Sequence, residues 1–259
     1  MSTYNIHGGH NYHVCGIVSY LNEVKEDRKI SNELQKILVD EGHTVYDCTD
    51  NSARTQRGNL NNIVKKCNRH NARLNVSIHL NGCYKAKADG KTKGVEVWVS
   101  SMNSSAVAHA RRVCKEMEKL GFTNRGVKGC KENGRSLAVI RQTSAPTILI
   151  EVCFADDEDD ILLYKKVGYK TISRAIAKGI LGRELSKEKP TSKSFKVRVK
   201  RTLTVWAKPK RGAKRLMKVH EGDIYTIDRV VKANNVTYGH LLSDAGWLKI
   251  PDKYVERLR

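Results

Sequence analysis

Asn75-Val76-Ser77-Ile78-His79-Leu80-Asn81 is a run of alternating and then clustered apolar residues, ending on a histidine beside Asn81 and Gly82. It reads as a buried strand with a turn directly after it. Open α/β sheets bind ligands at the carboxyl ends of their strands, so a histidine delivered there is placed for chemistry. One such histidine alone is usually a hydrogen-bonded structural residue. Three further segments, however, end on an acid–base or ligand-type side chain: Ile6-His7-Gly8-Gly9-His10, Leu21-Asn22-Glu23 and Ile148-Leu149-Ile150-Glu151. The expectation is a fold that gathers His10, Glu23, His79 and Glu151.

Working outward from that strand, the flanking segments alternate between the two periodicities. Ile30, Leu34, Ile37 and Leu38 fall at helical spacing between Glu23 and Gly42, and Thr44–Asp47 reads as a strand. A second helix is expected over 54–71, a strand over 94–99 and a third helix over 104–120. Pro146-Thr147-Ile148-Leu149-Ile150-Glu151-Val152-Cys153-Phe154 is the most apolar stretch and reads as a strand covered on both faces, as in parallel sheets. A carboxylate inside it is either paired or functional, because an unpaired buried charge is costly. Helices over 156–164 and 169–185 close the pattern. Strands alternating with helices indicate an α/β fold.

Ser186–Ser194 is polar, aperiodic and contains Pro190, which reads as a linker dividing residues 1–185 from residues 195–259. Beyond it short strands, at 195–199, 203–206, 225–231, 237–242 and 247–250, alternate with turns at Pro209, Gly212, Gly222, Gly239 and Gly246. That texture suggests a small all-β barrel.

The chain has 259 residues and a formal net charge of +21. Residues 187–259 hold 19 Lys+Arg against 7 Asp+Glu, or +12, while residues 1–186 hold 29 against 20, or +9. Such a field attracts polyanions, nucleic acid and an anionic cell wall both among them. No apolar run approaches the ~20 residues of a membrane span. No signal peptide is visible before the first candidate strand, so synthesis in the cytoplasm without an export signal is expected. The seven cysteines are odd in number and include no C-x-x-C pair, which speaks for reduced thiols rather than a disulfide framework. Cys153, two residues after Glu151, is a nucleophile by position and a small core residue by its surroundings.

Two histidines and one carboxylate make a catalytic zinc set, with a fourth position left open. A further carboxylate is then needed to take and return a proton. Spacing alone does not establish the set, since the donors are scattered along the chain. The order of blocks adds to it. Gly9-His10, Asn22-Glu23, Ser77-Ile78-His79-Leu80-Asn81, Asn124-Arg125-Gly126-Val127-Lys128 and Ile150-Glu151-Val152-Cys153-Phe154 resemble, in sequence order, the zinc-dependent N-acetylmuramoyl-L-alanine amidases. The likeness is greatest to phage endolysins of clostridia and Listeria and runs over about residues 4–184.

That resemblance implies a twisted mixed sheet flanked by helices, with His10, Glu23 and His79 as Zn2+ ligands and Glu151 as the catalytic carboxylate. Asn81 and Arg125 are expected substrate contacts. His7 is expected in the core or behind the ligands. His13 is set aside, and Asn22-Glu23 decides for Glu23 over Glu26. The family often continues with glycines after its first histidine; here Asn11-Tyr12-His13 follows. Gly246-Trp247, Lys249-Ile250 and Tyr254-Val255 are similar to the ending of bacterial SH3-like wall-binding domains. The expected partners are therefore peptidoglycan and anionic wall polymers rather than nucleic acid. The expected role is an endolysin, made in a host cytoplasm and reaching the wall after membrane disruption. A zinc peptidase cutting the stem peptide, or a non-catalytic wall- or polyanion-binding protein, remain the alternatives.

Overall fold

The computed structural model describes residues 1–186, 195–210, 212–233, 236–242 and 245–258, which form two compact units, 1–185 and 186–259. The expected linker lies outside the described residues except for Ser186.

The first unit is an α/β layer structure. Its strands are β1 (Thr3–Gly8), β2 (Thr44–Asp47), β3 (Leu74–Asn81), β4 (Val95–Val99), β5 (Asn124–Gly129) and β6 (Thr147–Phe154). Its helices are α1 (Glu23–Asp40), α2 (Gln56–Cys67), α3 (Val107–Glu118), α4 (Ala138–Gln142), α5 (Glu158–Val167) and α6 (Tyr169–Leu181). The sheet order is β2-β1-β3-β6-β4-β5. β1, β2, β3 and β6 run parallel, whereas β4 pairs antiparallel with β6 and parallel with β5. The sheet is thus mixed, and the apolar run of β6 comes from its central place between β3 and β4.

Side chains alternate across β6, and each set has its own cover. Ile148, Ile150 and Val152 enter the main core with Ile30, Leu34 and Leu38 of α1, Val113 and Met117 of α3, and Ile172, Ile176 and Ile180 of α6. Each fully buried side chain of this kind contributes about 1.5–3 kcal/mol. Leu149 faces the other way, into a smaller cluster with Trp98, Ile63 and Cys67 of α2, and Val139 and Ile140 of α4. On that second face β1 and β3 carry polar residues: Asn5 donates to Asn75 at 2.8 Å, and Asn75 to Thr147 at 3.0 Å. His79 and Glu151 lie on this face in register with each other at the strand ends.

Helix ends follow local chemistry. Asn22 caps α1 by accepting the Lys25 N–H at 3.0 Å, and Thr55 caps α2 by accepting the Gly58 N–H at 3.1 Å. The second cap starts α2 at Gln56, two residues later than the periodicity suggests. Ala138–Gln142 forms the short helix α4.

The second unit is a seven-stranded sheet of order β13-β7-β10-β11-β12-β8-β9. Its strands are β7 (Phe195–Val199), β8 (Leu203–Trp206), β9 (Arg215–Val219), β10 (Ile224–Ala233), β11 (Val236–Leu241), β12 (Trp247–Lys249) and β13 (Val255–Leu258), all paired antiparallel. Val197, Val199, Val205, Val219, Ile227, Leu241, Leu248 and Val255 form its core. β9 and β13 are absent from the sequence reading: Arg-Leu-Met-Lys-Val and Val-Glu-Arg-Leu lack clean alternation, and each has a mostly exposed edge.

Candidate metal centre

Parallel pairing brings three strand ends to one place. Gly8 of β1 is in register with Ile78 of β3, and His79 with Glu151 of β6. The chain leaves β1 through Gly9, whose N–H donates to the Ile78 carbonyl at 2.8 Å, and presents His10 beside His79. α1 begins at Glu23 and brings that carboxylate over the end of β3, where it accepts the Leu80 N–H at 3.1 Å and the Ile17 N–H at 2.9 Å.

The result is a compact donor set. The ligand atoms of His10, Glu23 and His79 all lie within 4.8 Å of one another. His79 Nδ1 is 3.0 Å from Glu23 Oε1, and His10 Nε2 is 3.7 Å from Glu23 Oε2. The two imidazoles meet edge to face, 5.3 Å between centroids. The backbone leaves no room for ordinary residues around them. A Cβ on Gly9 would sit 2.3 Å from His79 Cε1, and one on Gly16 would sit 1.8 Å from Glu23 Oε2 and 2.5 Å from His10 Cδ2. Only glycine permits this approach.

Electrostatics favour a positive charge here. Burial pulls the His79 imidazolium down, but the hydrogen bond and charge of Glu23, helped by Glu151 and Asp27, push it up to about 9. Burial raises the Glu23 carboxyl, and the hydrogen bond and charges of His79 and His10 outweigh it, leaving it below the usual range. His10 is lowered, mainly by burial. Two imidazoles and one carboxylate, crowded by glycines, are a donor set that could hold a metal ion.

Glu151 stands beside this set without being one of the three donors. Its Oε2 is buried and has no hydrogen-bond partner, and burial pushes the carboxyl up to about 7. An orphaned carboxylate oxygen of this kind is poised to accept a proton. On its other side Glu151 is in register with Glu96 of β4.

Glu96 is a buried carboxylate that the sequence did not announce. It is 3% exposed and accepts from Arg125 Nε at 2.7 Å, Lys128 Nζ at 2.7 Å, Trp98 Nε1 at 3.0 Å and Asn81 Nδ2 at 3.3 Å. Burial raises its carboxyl, and the bonds from Arg125, Lys128 and Trp98 bring it below the usual range. Asn81 and Arg125 thus lie in one cluster with Glu96, next to Glu151, and Arg125 also lies over the Phe154 ring at 5.0 Å. Arg135 sits over Trp98 at 4.9 Å and lines a cavity of about 540 Å³ together with Lys131 and Arg141. Its charge works weakly against burial at Glu151, lowering the carboxyl slightly.

The remaining candidates fall outside. His7 is fully buried, contacts the Gly8 carbonyl at 3.1 Å, and is pulled down to about 4, chiefly by burial. His13 is exposed. Glu26 is engaged by Lys29 at 2.8 Å and by the Tyr164 hydroxyl at 2.8 Å. The Cys153 thiol is fully buried, and burial raises it well above its ordinary value, so it is core. Asn11 pins the loop after His10: it accepts the His13 and Val14 N–H groups and donates to the Ala53 carbonyl at 2.8 Å. Arg28 of α1 donates to the His10 carbonyl at 2.5 Å.

Residues 6–182 match the family model described as N-acetylmuramoyl-L-alanine amidase. The chain belongs to that family. Among curated relatives it is 33% identical over 181 residues to an uncharacterized protein of Clostridium perfringens, covering 70% of this chain and 52% of that one. It is also 29% identical over 214 residues to the endolysin of Bacillus phage SPP1, covering 74% and 75%. The chain spans about half the length of the clostridial relatives it matches. Among solved structures, the catalytic domain of the CD27L endolysin targeting Clostridia Difficile superposes with a TM-score of 0.61 at 24% identity, over 72% of this chain and all of that one. This likeness places the first unit in the amidase-like α/β fold.

No helix among the described residues is long and apolar enough to cross a membrane.

Proposed function

We propose that this amidase-family chain hydrolyses the amide between N-acetylmuramic acid and L-alanine in peptidoglycan, acting as an endolysin. His10, Glu23 and His79 would hold a zinc ion. The observation that carries the reading is the placing of an orphaned carboxylate, Glu151, in register with His79 at the edge of a three-donor set. The bound cation supplies Lewis acidity toward a carbonyl oxygen and toward water.

The protein residues do the rest. Glu23 keeps both histidines oriented, and the Ile17 and Leu80 N–H groups keep Glu23 in place. Glu151, raised to about 7, takes a proton from the attacking water at Oε2 and returns it to the departing L-alanine amine, a task that requires a carboxyl pKa near the working pH. Asn81 and Arg125, held by Glu96, bind the substrate beside it. Residues 195–259 are read as an SH3-like domain that holds the enzyme on an anionic wall. Action on the cell wall completes the endolysin reading.

Glu151→Gln should retain one zinc per chain and release no wall fragments. Mass analysis of digests made by the unaltered chain should show new L-alanine amino termini. Cuts within the stem peptide would indicate a zinc peptidase. A chain without stoichiometric zinc or turnover would indicate a binding protein.

A further inference from the structure

A line of residues crosses the second unit from strand to strand. Arg229 of β10 is in register with His240 of β11, His240 with Trp247 of β12, Trp247 with Trp206 of β8, and Trp206 with Arg215 of β9. Directly opposed residues on adjacent strands project from the same face. Their chain neighbours Val205, Leu248 and Leu241 enter the core, so the line lies on the outer face. Five strands at ~4.8 Å spacing make it about 19 Å long. The register shifts between Ile227 and Arg229 and between Val205 and Trp206, so the extra residues are Asp228 of β10 and Leu216 of β9, one beside each end of the line. Such irregularities re-aim side chains at functional edges.

Its chemistry is mixed. Trp206 and Trp247 are half-buried, leaving part of each indole open. Arg215 and Lys249 stand 5.7 Å and 5.6 Å from the Trp206 centroid, and Arg229 stands 5.6 Å from that of Trp247. Those distances are near the outer limit of a cation–π contact. In the same unit Arg257 lies on Phe195 at 3.7 Å, in full contact. All three contacts are thus longer than that of Arg257, and both indoles stay part-exposed beside them. Within the line His240 is buried, meets Trp247 edge-on at 4.8 Å and contacts Asp228 at 2.8 Å, which fixes the Trp247 ring.

We propose that the Arg229–His240–Trp247–Trp206–Arg215 line, with Lys249, is a binding site for an anionic sugar polymer. The apolar faces of sugar rings would lie on the open indoles, and phosphate or carboxylate groups would meet Arg215, Arg229 and Lys249. Charge complementarity supports this occupant, because residues 187–259 carry +12. The choice of sugar over other polyanions rests on the amidase reading of the first unit, whose proposed substrate is itself a glycan.

The test uses the full chain and reads binding without turnover, so that a failed amidase reading and a failed binding site are told apart. Phosphomannan is the probe, with neutral mannan, inorganic polyphosphate and oligothymidylate as comparisons. Phosphomannan should bind at least tenfold tighter than either mannan or polyphosphate. Trp206→Ala and Trp247→Ala should each lose that preference. Trp206→Phe and Trp247→Phe, which keep a ring, should retain most of it and serve if the alanine variants fail to fold. Arg215→Gln with Lys249→Gln should flatten the salt dependence of binding. Polyphosphate binding as tightly as phosphomannan would overturn the proposal, as would phenylalanine and alanine variants that all bind like the parent. So would oligothymidylate binding more tightly with the same tryptophan dependence, which would mark a single-stranded nucleic-acid surface.

Discussion

Glu151 is a destabilising residue, a carboxyl buried within the sheet. Its carboxyl sits near 4.5 when exposed and about 7 in the fold. Between those values the folded chain holds more protons than the unfolded one, so stability falls as pH rises through the window. Glu151→Gln should therefore stabilise the zinc-free protein above pH 7, by about 3 kcal/mol at pH 8.5 and hardly at all at pH 4.5. Urea unfolding in the presence of chelator measures this, and an equal gain at both pH values would sink the burial argument. The anomaly was legible in the sequence, as a carboxylate within the longest apolar run. Glu96 was not. In Val95-Glu96-Val97-Trp98-Val99 it alternates like a residue on a watered face, and only the fold shows that Trp98 and two cations close over it. Glu96→Gln should loosen Arg125 and Lys128, raising KM severalfold with zinc content unchanged. A KM equal to that of the parent would remove this pair from substrate recognition.

At the level of elements, the site depends on turns that approach too closely for side chains. Gly16→Ala places a methyl group on the Glu23 carboxylate and the His10 ring. It should weaken zinc affinity at least tenfold, read by competition with a chelating dye, while the far-ultraviolet spectrum stays that of the parent. Unchanged affinity would mean that the 11–22 loop is free to move aside. The elements with strong periodicity or a cap were legible: α1 announces itself through Asn22 and its apolar stripe. Three others were not. α4 is only five residues long, and β9 and β13 gain their strand character from neighbours rather than from their own pattern. Gathering the donors was legible only as a convergence of segment ends, since pairing of β1, β3 and β6 sets which ends meet.

For the whole molecule, the two units invite separation. His10, Glu23, His79, Glu151, Asn81 and Arg125 all lie in the first, whose core is complete without the second. A chain ending at Leu185 should hydrolyse soluble muramoyl-peptides at the parental rate and lyse whole cells much more slowly at low salt. The advantage of the full chain should shrink as salt rises, in proportion to how far charge carries the attachment. Equal lysis by both chains at low salt would refute a wall-holding role for 195–259. The position of β6 has a separate consequence, for biogenesis. β2, β1 and β3 can assemble on one side and β4 and β5 on the other, but nothing joins these two partial sheets until residues 147–154 slot between them. Such long-range pairing is slow to form. The strand that unites the halves is also the one bearing Glu151, so a chain still emerging from the ribosome has neither a closed sheet nor a complete set of reactive groups. The lytic activity proposed here would switch on only as the last strand of the sheet is threaded home.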